Sequence, residues 1–244
     1  MAIGWLFYLY ILGGGPTLEG VTQGVQDVYN VVILQDGNVD YATLAKRPDL
    51  MEKLNAFSEY FAKFDPQSLG EKPAVIAAYA NAYNVFTILG VMQAWPVESV
   101  RKIHPLFGFF TKNKFKLAGK KVSLNDIEKG ELQKLDARIH FIINCASFSC
   151  PVIQPQVLTA DNVERLMNEA AVAFLKDTTK NQFDPSSGEW RLSKIFDWYA
   201  KDWGGEAGVI EFIRKSYPQG ADWQPKKVVY QDYNWELNGP TTPN

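Results

Sequence analysis

The chain has little cysteine and little histidine. Among its 244 residues there are two of each: Cys145, Cys150, His104 and His140. Two thiols are too few for a disulfide framework and too few for a four-thiolate zinc site. A mixed zinc site would need a close cysteine pair of the C-x-x-C kind and a close histidine pair, and the spacing offers neither. No metal and no cofactor is therefore expected. A charge excess of one sign is also missing, since 25 Lys and Arg stand against 27 Asp and Glu. The basic stripe of a nucleic-acid binder is absent, and no block of like charges reads as an interaction tail. There is no internal repeat, no Gly-rich phosphate loop and no regular βαβ series. The apolar run at residues 5–12 falls far short of the ~20 residues a bilayer crossing needs, so no transmembrane span is expected there.

What is present is ordinary globular material. Apolar residues make up 46% and aromatics 14% of the chain, enough for a sizeable core within single-domain length. The opening MAIGWLFYLYILGGGPTL carries no charge. Its apolar run has the length of a signal-peptide h-region, although no Lys or Arg precedes it and no A-x-A site follows. A leader, a start artefact and a packing segment are all compatible. The leader reading is preferred and predicts a secreted or periplasmic protein. Residues 1–17 are accordingly set apart as a leader remnant or disordered apolar segment, 18–239 as one domain, and 240–244 as a frayed tail.

Periodicity predicts several helices. Val21, Val25, Val28 and Val32 share one face, as do Leu50, Leu54, Phe57 and Phe61. PAVIAAYANAYNVFTILGVMQAW, residues 73–95, is apolar nearly all round and reads as a central buried helix. Asn81 and Asn84 inside it either tie it to neighbouring backbone or point into a site. KFKLAGKKVSL reads as a hairpin around Gly119, with Ser123 capping the next helix. Thr159 is expected to cap a helix bearing Val163, Leu166, Met167, Ala170 and Phe174. FDPSSGEW is a turn between short strands, a further helix starts at Ser193, and a late strand covers 227–230. The fold class expected is α+β: one helix-rich domain with a small, mostly antiparallel sheet.

RIHFIINCASFSCP, residues 138–151, holds both thiols and one histidine. As a buried strand over 138–145, alternation would put His140 with Ile142 and Asn144 on one face and Cys145 on the other. A direct His140–Cys145 dyad is then unsafe. The small polar ASFSC segment reads as a strand-to-loop exit, and a local Cys145–Cys150 disulfide is possible across it.

These residues resemble the family called domain of unknown function 547. The resemblance runs from about Tyr29 to Asn238 through DGNVDYATL, ANAYNVFTI, WPVESVRKI, VSLNDIEKGEL, ARIHFIINCASFSCP, LSKIFDWYAKD and VVYQDYNWELN, in that order. It implies a cysteine-centred function without fixing the activity. Carried over by residue, it implies site roles for Asn81, Asn84, Glu128, Arg138, His140, Cys145, Cys150, Tyr233, Trp235 and Asn238, with Cys145 ahead of Cys150 as nucleophile. Where the family usually has His after the Glu, this chain has Lys129, and Gln133 stands near a usual Arg. Lys129 could act as a cation that lowers a thiol pKa.

Three functions are carried forward. The first is a cysteine-dependent hydrolase or transferase acting at Cys145 on an unidentified small-molecule or peptide substrate, with His140 or Lys129 activating and Glu128, Asn81 and Asn84 orienting. The second is a thiol–disulfide redox module. The third is a non-catalytic binding or structural domain stapled by a Cys145–Cys150 disulfide.

Overall fold

The computed structural model describes residues 15–112, 115–217 and 224–240. Most of the expected leader, and residues 241–244 of the expected tail, lie outside the described residues. The first helix, α1 (Leu18–Val32), begins where the Thr17 side chain accepts a bond from the Gly20 amide. It buries the predicted valine face together with Tyr29. After a turn at 35–37 and the short α2 (Tyr41–Ala45), α3 (Pro48–Lys63) packs against α1 and buries Leu50, Leu54, Phe57 and Phe61. Each such side chain taken fully out of water contributes roughly 1.5–3 kcal/mol.

The long apolar segment forms α4 (Lys72–Met92), with Pro73 in its first turn. Its length and hydropathy would suffice to cross a membrane, but 89% of the apolar window is buried inside the protein. It is the central helix, contacted by α3, by α7 (Leu124–Ile127) and by α8 (Val163–Lys176). Two short helices, α5 (Val100–Ile103) and α6 (Gly108–Lys112), lead into the hairpin β1 (Phe115–Leu117) and β2 (Lys120–Val122). Gly119 turns this hairpin at φ +76°, a conformation that glycine takes without strain. Ser123 and Asp126 close a reciprocal capping box at the start of α7. The helix then widens into a π turn, Glu128–Leu132.

The second half adds β3 (Gln182–Asp184), β4 (Glu189–Leu192), α9 (Lys194–Trp198), α10 (Glu206–Ser216) and β5 (Lys227–Tyr230). Among the described residues there are two small sheets. β1–β2 and β3–β4 pair antiparallel, with Phe183 opposite Trp190, whereas β5 joins β4 parallel. One contiguous apolar core extends from Val21 to Leu237. The architecture is helix-rich α+β, as the sequence predicts.

Two local expectations are corrected. The segment expected to be a strand over 138–145 is a tight 3-10 turn, Ala137–Phe141, followed by irregular backbone. Asp136 starts the turn by accepting from the Arg138 amide and guanidinium. Side-chain amides then take over backbone groups that a sheet would otherwise pair. Asn84 Nδ2 donates to the Ile142 carbonyl at 2.9 Å and its Oδ1 accepts from the Asn144 amide at 2.8 Å. The alternation that separated His140 from Cys145 therefore does not apply. At α8 the helix starts at Val163, with Asn162 as its cap residue. Thr159 and Asn162 exchange side-chain-to-backbone bonds one turn earlier.

Candidate functional site

Cys145 sits on the loop 142–151, which is held from three directions. Asn84 clasps it from α4. Asn144 folds back on its own loop, donating to the Pro151 carbonyl at 2.7 Å and accepting from the Ala146 amide at 2.8 Å. Asn238, from the C-terminal segment, donates to Asn144 Oδ1 and accepts from the Tyr41 hydroxyl at 3.0 Å. All three amides are buried. The C-terminal segment adds backbone pairing, from Phe148 to Glu236 and from Asn238 to Ala146. Ala146, directly after the cysteine, has φ +58°. A non-glycine residue there is strained by about 1–2 kcal/mol, and the amide network holds it in place.

This loop forms one wall of a cavity of about 400 Å³. Cys145 Sγ lies 2.8 Å from Ser147 Oγ and 3.2 Å from the Tyr233 hydroxyl, and those two oxygens are 3.1 Å apart. The Cys145 amide donates to Cys150 Sγ at 3.0 Å. Both cysteines are free thiols, so the alternative of a Cys145–Cys150 staple has no disulfide behind it here. Burial alone would push the Cys145 thiol up. Hydrogen bonds from Cys150, Ser147 and Tyr233, with one from the Ser147 backbone, outweigh that and bring it below its ordinary value. Cys150 moves the other way, well above the ordinary value, through burial, the bond it gives to Cys145 and the neighbouring charge. Burial and the same charges raise Tyr233, so its hydroxyl stays a donor.

A second group of polar side chains lines the same cavity. His140, from the 3-10 turn, places Nε2 2.7 Å from Asp202 Oδ2. Its Nδ1 is 3.9 Å from Glu128 Oε1 on the π turn. Such turns recur at functional sites because they displace side chains from the helical register. Asp202 is positioned by Gln133 Nε2 at 2.9 Å. The imidazole stacks on Tyr199 with ring centroids 3.8 Å apart. Burial lowers the His140 pKa, and the bond to Asp202 and the charges of Glu128 and Asp202 offset this only in part. At neutral pH the ring is uncharged, and the carboxylate at Nε2 fixes the Nε2–H tautomer. Tyr83 donates to Glu128 Oε2 at 3.5 Å.

The remaining residues singled out by sequence separate into two sets. Trp235 and Lys129 line the cavity, Lys129 exposed at its edge. Asn84 and Asn238 hold the cysteine loop from behind. Asn81 exchanges two bonds with Leu158, and Arg138 binds Asp136, Glu164 and Asn168. Neither Asn81 nor Arg138 lines the cavity. Sequence reasoning missed Ser147, Tyr83, Tyr199, Trp198 and Asp202 as site residues. A signal existed for Asp202, which ends the block LSKIFDWYAKD, and for Tyr83, which stands between the two asparagines of α4.

No curated protein and no solved structure matches the chain. A family model does match: it spans residues 66–175 and so takes in α4, Glu128, His140 and both thiols, while Asp202, Tyr233 and Trp235 fall beyond it. The matched family is described as Protein of unknown function, DUF547, and this part of the chain is similar to it.

Proposed function

We propose that the protein is a cysteine-dependent acyl hydrolase or transferase with Cys145 as nucleophile. The observation that carries this reading is the environment of one sulfur: the hydroxyls of Ser147 and Tyr233 at 2.8 and 3.2 Å, beside a walled cavity. A thiolate is the reactive form, and donors around it favour that form. Attack of Sγ on an acyl carbon forms a C–S bond and moves the carbonyl electron pair onto oxygen. Collapse of that adduct breaks the bond to the leaving group. The proton that left the sulfur returns on the leaving group through the Ser147 and Tyr233 hydroxyls. In the second step His140 Nδ1, a free acceptor while Asp202 holds Nε2–H, takes a proton from water or another acceptor molecule. That nucleophile displaces the thiolate and releases the acyl product. Asp202 is a positioning residue in this scheme, because it acts through His140.

Incubation with p-nitrophenyl acetate tests the proposal. The expected result is a burst of p-nitrophenol and one acetyl group on the peptide containing Cys145, both lost in Cys145→Ala. Acetylation spread over surface lysines with no burst would overturn it.

A further inference from the structure

Glu128 and His140 present two acceptors to each other. Both are deeply buried, 5% and 3% exposed. With Nε2–H committed to Asp202, Nδ1 carries a lone pair, and it faces Glu128 Oε1 at 3.9 Å. That distance is too long for a hydrogen bond, and two acceptors form none. Among the described residues only the hydroxyls of Tyr83 and Tyr199 reach the Glu128 carboxylate. A buried carboxylate beside a neutral imidazole therefore has capacity for a further donor, and preferably a charged one. The rest of the lining is largely aromatic, joined by Ile143, Ile195, Thr111, Asn125 and the exposed Lys129 at the edge. Trp235 lies 4.5 Å from Tyr233, 5.0 Å from Phe107 and 5.7 Å from Trp198 between ring centroids. Such rings accept apolar groups on their faces and are also compatible with a nearby cation. Trp198 and Phe107 are half-exposed, so part of this aromatic wall is open to a ligand.

We propose that the cavity recognises a primary ammonium next to an apolar group, with the ammonium on Glu128 Oε1 and the apolar group on the Trp198–Trp235 wall. The substrate class is an amino-acyl compound with a large apolar side chain. The word acyl rests on the thiol chemistry proposed above, whereas recognition of the ammonium does not.

Isothermal titration calorimetry separates the two, because it requires no bond-making. L-Phenylalaninamide and 3-phenylpropanamide share the ring and the amide and differ in the ammonium. The ammonium compound is expected to bind the wild-type protein at least about tenfold more tightly. Glu128→Gln, checked for folding by circular dichroism, is expected to bring the two to equal affinity. Equal affinity in the wild-type protein, tighter binding of 3-phenylpropanamide, or no binding of either would overturn the inference. So would a tenfold preference that survives in folded Glu128→Gln. A preference for the ammonium in a protein that shows no acetyl burst would leave this recognition standing and remove only the thiol chemistry.

Discussion

The two polar groups that line the cavity are built on opposite principles. At Cys145 the sulfur is bordered by two hydroxyls, and hydrogen bonding brings its pKa below the ordinary value. At His140 one imidazole lies between two carboxylates, yet burial keeps it uncharged. The first arrangement depends on a loop held in strained backbone, the second on a π turn and a 3-10 turn that need no strain. The difference shows that polarity alone does not set protonation. On the sulfur side hydrogen bonding outweighs desolvation, and on the imidazole side desolvation outweighs two negative neighbours.

The strongest way to break this comparison is to release the cysteine loop. Asn84→Ala leaves the Ile142 carbonyl and the Asn144 amide without partners in the interior. At about 1–3 kcal/mol for each buried group, the expected loss is roughly 2–5 kcal/mol in urea unfolding. Asn81→Ala removes an equivalent pair of bonds at Leu158. A similar loss of stability is expected there, but with the alkylation rate of Cys145 unchanged, since Asn81 touches neither the loop nor the cavity. Equal effects of both variants on alkylation would show that the loop is not held in the way described.

A smaller effect is expected from removing one donor. Tyr233→Phe deletes a hydroxyl bond to the thiolate, and a hydrogen bond to a charged group is worth about 1.5–3 kcal/mol. The apparent Cys145 pKa should rise by about one unit or more, read from iodoacetamide kinetics across pH. Cys150→Ala should move it in the same direction. A fall in either variant would contradict the donor cage.

The smallest effect concerns the other group and is a slope. His140 has a folded-state pKa below its unfolded value of about 6.5. As pH falls through that value, the unfolded chain binds a proton that the folded protein refuses. Its contribution to stability is thus full above about pH 6.5 and is lost on acidification toward the lower folded value. Unfolding free energies measured between pH 7.5 and pH 5 should fall, and His140→Gln should flatten the decline. An unchanged slope in that variant would show that His140 does not titrate as described.

Much of the fold was legible because it depends on local patterns. The valine face of α1, the phenylalanine face of α3, the all-apolar α4 and the capping box at Ser123 are each set by residues within one or two turns. The cysteine loop was not legible in this way. IHFII has the composition of a buried strand, and nothing local says that Asn84, 60 positions before Asn144, supplies the partners a sheet would give. The site shows the same division. Cys145, His140 and Glu128, singled out from short motifs, line one cavity. Asp202 was missed because its place beside His140, 62 positions away, depends on how α9 and the following 3-10 turn fold back.

The central claim is that hydrogen bonds make Cys145 the reactive thiol and Cys150 the silent one. Iodoacetamide labelling across pH, with each cysteine peptide quantified by mass spectrometry, tests it directly. The account predicts that Cys145 reacts with an apparent pKa below the ordinary thiol value of about 8.5 and that Cys150 stays unlabelled until well above it. Two thiols titrating together at or above that value would contradict it.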